Sequence, residues 1–229
     1  MTDTETGAAP STRPGRAKRG EGELLREEIV EAAIDLLAST GTAERITIRN
    51  IAEQVGVTSP SIYLHFASKN DVIFAACERL WQDFGQVLAE ARAGLNDPLE
   101  RMQACGTAYL HFALDRPALY RVLFMSQPVD QPEDFDVQAL LDNVGFLQLF
   151  DDVRELHDSG RLRVGDPLDV SLLLWSSVHG VASLILDHPK IPWPEPNRTL
   201  NLLFEALAGG LVTHSVPPEG ERGPLRSSG

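Results

Sequence analysis

Ile46 to Lys69 reads ITIRNIAEQVGVTSPSIYLHFASK, and the reading of this stretch decides the fold. Ile48, Ile51, Ala52 and Val55 recur at i, i+3, i+4 and i+7, the buried stripe of a short helix. Thr47 stands where a hydroxyl accepts from that helix's first free N–H groups. Gly56 follows the last apolar position, where the chain must turn left-handed. Thr58 or Ser59 then caps a second helix, with Pro60 in its first turn. Ile62 and Phe66, four apart, give it one buried face. Two short helices across a Gly-containing turn of about three or four residues make a helix-turn-helix. Ser59, Ser61, Tyr63, Leu64 and His65 are left on the other faces, an odd surface for solvent but a useful one for a DNA groove.

The run T-I-R-x-I-A-x-x-x-G-V-T-x-x-x-I-Y-x-H-F-x-S-K, Thr47 to Lys69, resembles the DNA-binding signature of the TetR (tetracycline repressor) family. It covers roughly a tenth of the chain and speaks for the DNA-binding part alone. The resemblance implies a homodimer in the bacterial cytoplasm, on the nucleoid. Each subunit then places a recognition helix in the major groove of a near-palindromic double-stranded operator. It also implies that His65 approaches the DNA backbone. The residues themselves suggest further roles. Tyr63 follows the inward Ile62, so its ring emerges at the groove rim toward a phosphate. Lys69 opens a long helix and joins its charge to free N–H groups there. Ser59 and Ser61 are short enough to approach base edges, and Thr58 stands beside them. Thr47 and Arg49 open the preceding helix, where backbone contacts set register.

At 229 residues, with 43% hydrophobic and 23% charged, the composition is globular and long enough for a real core. Cys77 and Cys105 fall on apolar helical stripes and read as small buried hydrophobes rather than a disulfide. No uninterrupted apolar run approaches a membrane span and the N-terminus has no apolar signal core, so a soluble, intracellular protein is expected. The net charge of −13 is uneven. Residues 1–70 carry eight Lys and Arg against ten Asp and Glu, and residues 71–229 carry twelve against twenty-three. DNA binding needs a local basic patch rather than a basic protein, and the acid lies elsewhere.

Along the chain, residues 1–20 hold no core-forming pattern and carry Arg13, Arg16, Lys18 and Arg19, a disordered basic arm. A helix over 23–40 packs behind the helix-turn-helix, so that 21–68 form a three-helix DNA-binding domain. The spacing predicts further helices from Lys69 to about Ala93, from 97 to about 116, around Tyr120, over about 136–158, 167–187 and 197–212. Asp97-Pro98 and Asp166-Pro167 open two of them, and Asn197 is the expected cap of the last. SQPVDQPED at 126–134 reads as a loop and 213–229 as a disordered tail. The expectation is an all-α fold of about nine helices, with 69–212 forming an effector-binding and dimerisation domain. The last two long helices are apolar on more than one face and contain Gly180, Gly209 and Gly210, which suits a four-helix dimer interface.

WSSVHG at 175–180 and DRPALYRVLF at 115–124 also resemble the Trp–His–Gly group of TetR C-terminal domains. Trp81, Met102, Cys105, Tyr109, Phe112, Tyr120, Phe124, Phe146, Phe150, Trp175 and His179 fall on helices that would surround one small-molecule cavity. A plain aromatic core is the other reading of the same residues. No nucleophile–base pair or metal-ligand spacing is present, so neither catalysis nor a cofactor is expected. The reading is a ligand-responsive transcriptional regulator, most simply a repressor, with a constitutive DNA-binding protein lacking an effector as the alternative.

Overall fold

The structure, a computed structural model, describes residues 21–125, 144–163 and 165–212. Among them are nine α-helices: α1 (Glu21–Thr40), α2 (Ile48–Val55), α3 (Ser59–Ile62), α4 (Lys69–Arg92), α5 (Pro98–Asp115), α6 (Pro117–Phe124), α7 (Val144–Asp158), α8 (Pro167–Asp187) and α9 (Pro196–Leu211). A 3-10 turn at Ala43–Arg45 links α1 to α2. The described residues form no strand beyond an isolated antiparallel bridge between Leu162 and Val212. The fold is all-α, as the periodicity predicts. The basic arm at 1–20, the loop at 126–134, the first turns of the helix expected from 136 and the tail at 213–229 lie outside the described residues.

The helix ends follow local chemistry. Thr47 Oγ1 accepts from Asn50 N at 3.2 Å while Asn50 Oδ1 accepts from Thr47 N at 2.8 Å, a reciprocal cap on α2. Gly56 closes that helix with φ +80°, the left-handed geometry that favours glycine. Asp97 and Asp166 cap α5 and α8, each accepting at 2.8 Å from the backbone two residues on. One further cap is unanticipated, and one differs from expectation. The Ser68 hydroxyl accepts from Asp71 N and caps α4. Glu195, not Asn197, caps α9, because Pro196 already occupies its first helical position.

Three apolar clusters hold the helices together. The first joins Ile29, Ala33 and Leu37 of α1 to Ile51, Ile62 and Phe66, and draws in Val72, Ala76 and Leu80 of α4 and Leu119 of α6. The second is rich in aromatic residues and contains Phe84 and Leu88 of α4, Tyr109 and Phe112 of α5, Tyr120 of α6, Val178 of α8 and Leu200 of α9. The third, with Met102, Val153, Leu156, Val170, Leu174 and Val212, lies at the end formed by the start of α5 and the close of α9. Two elements therefore belong to both of the first two cores. α4 runs from one into the other, and on α6 the consecutive residues Leu119 and Tyr120 pack into different cores.

A buried carboxylate ties three helices at the far end of α4. Asp152 is 1% exposed and meets the guanidinium groups of Arg92 on α4 and Arg101 on α5, the latter at 2.7 Å. Arg101 also reaches Glu155. Removing one member of such a cluster leaves a buried charge unpaired, so its geometry holds α4, α5 and α7 in register.

α8 is unusually apolar. Its most apolar 18-residue window has a mean hydropathy of 1.5, enough to cross a membrane by length and composition alone. A search for unbroken apolar runs misses this, because serines and His179 interrupt it. Its inner face, Val170, Leu174, Val178 and Ala182, is core, whereas Leu173 and Leu184 are each 47% exposed. The helix is apolar because two of its faces are.

Gly180 has no close neighbour within the subunit. A Cβ placed there, or at Gly209 or Gly210, meets nothing within 4 Å. The close approach is at Gly106 on α5, where a Cβ would stand 2.5 Å from Phe204 Cζ of α9.

Candidate nucleic-acid interface and effector core

α2 and α3 meet across Gly56-Val57-Thr58, and α3 is only one turn long. Beyond Ile62 the chain continues in tight turns, with His65 N donating to Ile62 O at 2.9 Å and Phe66 N to the same oxygen at 3.1 Å. Ile62 and Phe66 are buried under this turn. The buried pair orients what lies between them: Tyr63 is 56% and Leu64 83% exposed, and His65 is half-buried. Thr58 and Ser61 share a hydroxyl–hydroxyl bond of 3.0 Å, and Ser59 stands half-buried beside them. Thr47 spends a lone pair on its cap yet keeps a hydroxyl hydrogen to donate. Arg49 lies on the solvent face of α2, paired with Glu53 at 2.8 Å.

Lys69 opens α4 next to this turn. Its ammonium donates to Ala43 O of the 3-10 turn at 3.1 Å, which holds the side chain between the two segments. Two further N–H groups remain for a phosphate. Arg26 of α1 stacks over Phe66 at 4.8 Å, and a Cβ on Gly22 would lie 3.7 Å from His65 Cε1. The start of α1 therefore stands at the same face as His65.

The candidate effector residues separate into groups. Rings of Trp81, Phe84, Tyr109, Phe112, Tyr120 and Phe124 interlock edge to face and tilted, with neighbouring centroids 4.9–6.1 Å apart. His179 sits among them. Its Nδ1 lies within hydrogen-bond distance of both tyrosine hydroxyls, 2.9 Å from Tyr109 OH and 2.8 Å from Tyr120 OH. Burial pushes the His179 pKa down and the Tyr109 pKa far up. Trp175 meets His179 at a tilt and Phe146 edge to face, both with centroids 6.0 Å apart. Cys105 packs against the same core with its thiol pushed up by burial to about 11, and burial also raises Cys77. Phe150 lies apart, under the guanidinium of Arg154.

Met102 is elsewhere. It lines an apolar cavity of about 350 Å³ in the third cluster, with Leu156, Leu174, Phe204, Leu207 and Val212. A Gln103–Asn201 amide pair of 3.2 Å stands at its edge. Only the expected Met102 pointed to this cavity; most of its other walls are aliphatic and share the signature of any core.

An N-terminal helix-turn-helix with an exposed polar and aromatic tip, joined by a shared helix to a larger helical body, defines a DNA-binding regulator. Residues 29–76 match the family model for bacterial regulatory proteins of the tetR family, and residues 102–211 match that for the tetracyclin repressor-like C-terminal domain. The chain belongs to the TetR family of DNA-binding transcription regulators, and is not an enzyme. It is 32% identical over 158 residues to the nucleoid occlusion factor SlmA of Vibrio atlanticus, covering 65% of this chain and 75% of that protein. With the SlmA of Vibrio campbellii it shares 35% over 102 residues, 43% of this chain and 50% of the relative. Its fold is similar to that of SmeT, the repressor of the Stenotrophomonas maltophilia multidrug efflux pump SmeDEF, with a TM-score of 0.61 and 24% identity over 87% of this chain and 96% of SmeT.

Proposed function

We propose that the protein is a homodimeric repressor, released from a near-palindromic operator by a small molecule, acting on the nucleoid in the cytoplasm. In this reading residues 21–68 form the DNA-binding unit and 69–212 the effector and dimerisation unit. Thr47, Arg49, Tyr63, His65 and Lys69 hold the backbone, while Thr58, Ser59 and Ser61 approach base edges. The observation that carries the reading is the double membership of α4 and α6 in the DNA-side core and the aromatic core. A ligand that repacks Trp81, Tyr120 or Phe124 must move helices that also support the recognition turn. It needs only differential affinity for the two states, and typical couplings of about 1–3 kcal/mol change binding by about 5–150-fold.

The test is linkage. A compound found by thermal shift on screening should bind more weakly with saturating operator, by the factor by which it weakens operator binding. A compound that binds equally well in both conditions is not an inducer. Two places compete for it. Loss of the shift in Leu174→Trp, which fills the cavity, assigns it there; loss in His179→Phe assigns it to the aromatic cluster.

A second reading, a constitutive DNA-binding protein, is favoured by the interlocked rings, which leave the aromatic cluster filled. Nucleoid occlusion, the role in the relatives' name, belongs with this reading. Bound sites scattered over the chromosome, with no compound shifting stability, would favour it over operator control.

A further inference from the structure

We propose that Leu64 is a specificity-determining residue that reads the C5 methyl of thymine in each half-site. This rests on the reading of the helix-turn-helix tip as the DNA interface, and adds which base group it recognises.

Leu64 is 83% exposed, more than any other large apolar side chain among the described residues. A single exposed leucine is ordinary by itself. Its position sets it apart, because it lies on the tight turn after α3 between Tyr63 and His65, held outward by the buried Ile62 and Phe66. The chemistry of its neighbours sharpens the point. Thr58 to Ala67, TSPSIYLHFA, contains no Arg, Lys, Asn or Gln, the side chains that pair bidentately with guanine or adenine. Of the long polar groups on α2, Gln54 pairs with Asp35 at 3.1 Å, and Arg49, beside Glu53 on the exposed face, is assigned above to the DNA backbone rather than to bases. Thr58 and Ser61 hydroxyls bond to each other and, being both donors and acceptors, discriminate weakly. A sequence preference must then come largely from shape, and the aliphatic group on the base edges of the major groove is the thymine methyl. An uncharged isobutyl group presented there meets that methyl favourably and a cytosine amino group poorly.

The experiment uses the full-length protein and a duplex it selects from a random library. Each thymine is replaced in turn by deoxyuridine, which keeps the base pair and removes the methyl, and affinity is read by fluorescence anisotropy. The wild type should lose about fourfold at one thymine per half-site, the factor for returning one methyl-sized group to water, and about fifteenfold at the symmetric pair. Leu64→Ala should bind the thymine duplex more weakly by a similar factor and show no further loss at that pair. Its salt slope and melting temperature should match the wild type, since the side chain is exposed. Leu64→Met should retain the methyl dependence. Wild-type indifference to every methyl, or an unchanged methyl dependence in Leu64→Ala, overturns the proposal while leaving the DNA interface standing. A library that returns no preferred sequence overturns the sequence-specific interface itself, and this proposal with it.

Discussion

At the scale of single residues, the proposed interface divides into side chains that would hold charge and side chains that would read shape. Lys69 is the clearest of the first kind, because its ammonium is already fixed by Ala43 O before DNA arrives. Lys69→Ala should weaken binding to all sequences alike and lower the salt slope by about 1. An unchanged slope in a salt titration would remove it from the interface. In the body, His179 predicts a pH dependence. The hydroxyls of Tyr109 and Tyr120 and the surrounding rings enclose its Nδ1, so a charged imidazolium there would lose much of its hydration. Burial lowers its folded pKa below the ordinary value of about 6.5. Between those two values the unfolded chain binds a proton that the folded chain rejects, and stability falls as pH drops through that window. Below the lowered value the loss is complete and the curve flattens. Melting temperatures of His179→Gln should depend less on pH across this window than those of the wild type; parallel curves would contradict the assignment.

At the scale of elements, most helices were legible because their ends have local chemistry. Asp-Pro pairs open α5 and α8, Gly56 closes α2, and the 3.6-residue stripes mark the inward faces. What was not legible depended on partners distant in sequence. The aromatic residues were legible as a group, but not that their rings interlock with one another, while the cavity formed among aliphatic residues of the third cluster. Gly106 gives no local sign of its role, since only Phe204, nearly a hundred residues on, makes it necessary. Gly106→Ala should therefore destabilise despite its gain in helix propensity. Overpacking costs about 1–3 kcal/mol and the propensity gain returns up to about 1. Denaturant melts should show a net loss, relieved by Phe204→Leu in the double variant; a stabilised Gly106→Ala would mean the ring yields freely.

At the scale of the whole molecule, α8 and α9 leave Leu173, Leu184 and Leu202 half-exposed beside Gly180, Gly209 and Gly210, whose Cβ positions are open. A second copy packed there would cover the apolar faces and give those glycines a reason. Leu202→Glu combined with Leu184→Glu should yield a folded monomer by sedimentation. Affinity for a two-half-site operator should fall by about 10²–10⁴-fold as bivalence is lost. A dimer that survives both changes places the interface elsewhere. The shared helix α4 then acquires a mechanical meaning. Phe84 in the aromatic core and Lys69 at the recognition turn lie fifteen residues apart on it, about 22 Å along a rigid rod. A tilt of about two degrees pivoting at Phe84 sweeps Lys69 through about 0.8 Å, enough to stretch a hydrogen bond of ordinary length beyond its useful range. The helix has gearing: a displacement too small to disturb the packing where it starts is large where it ends, and in the proposed dimer a two-fold axis would double it.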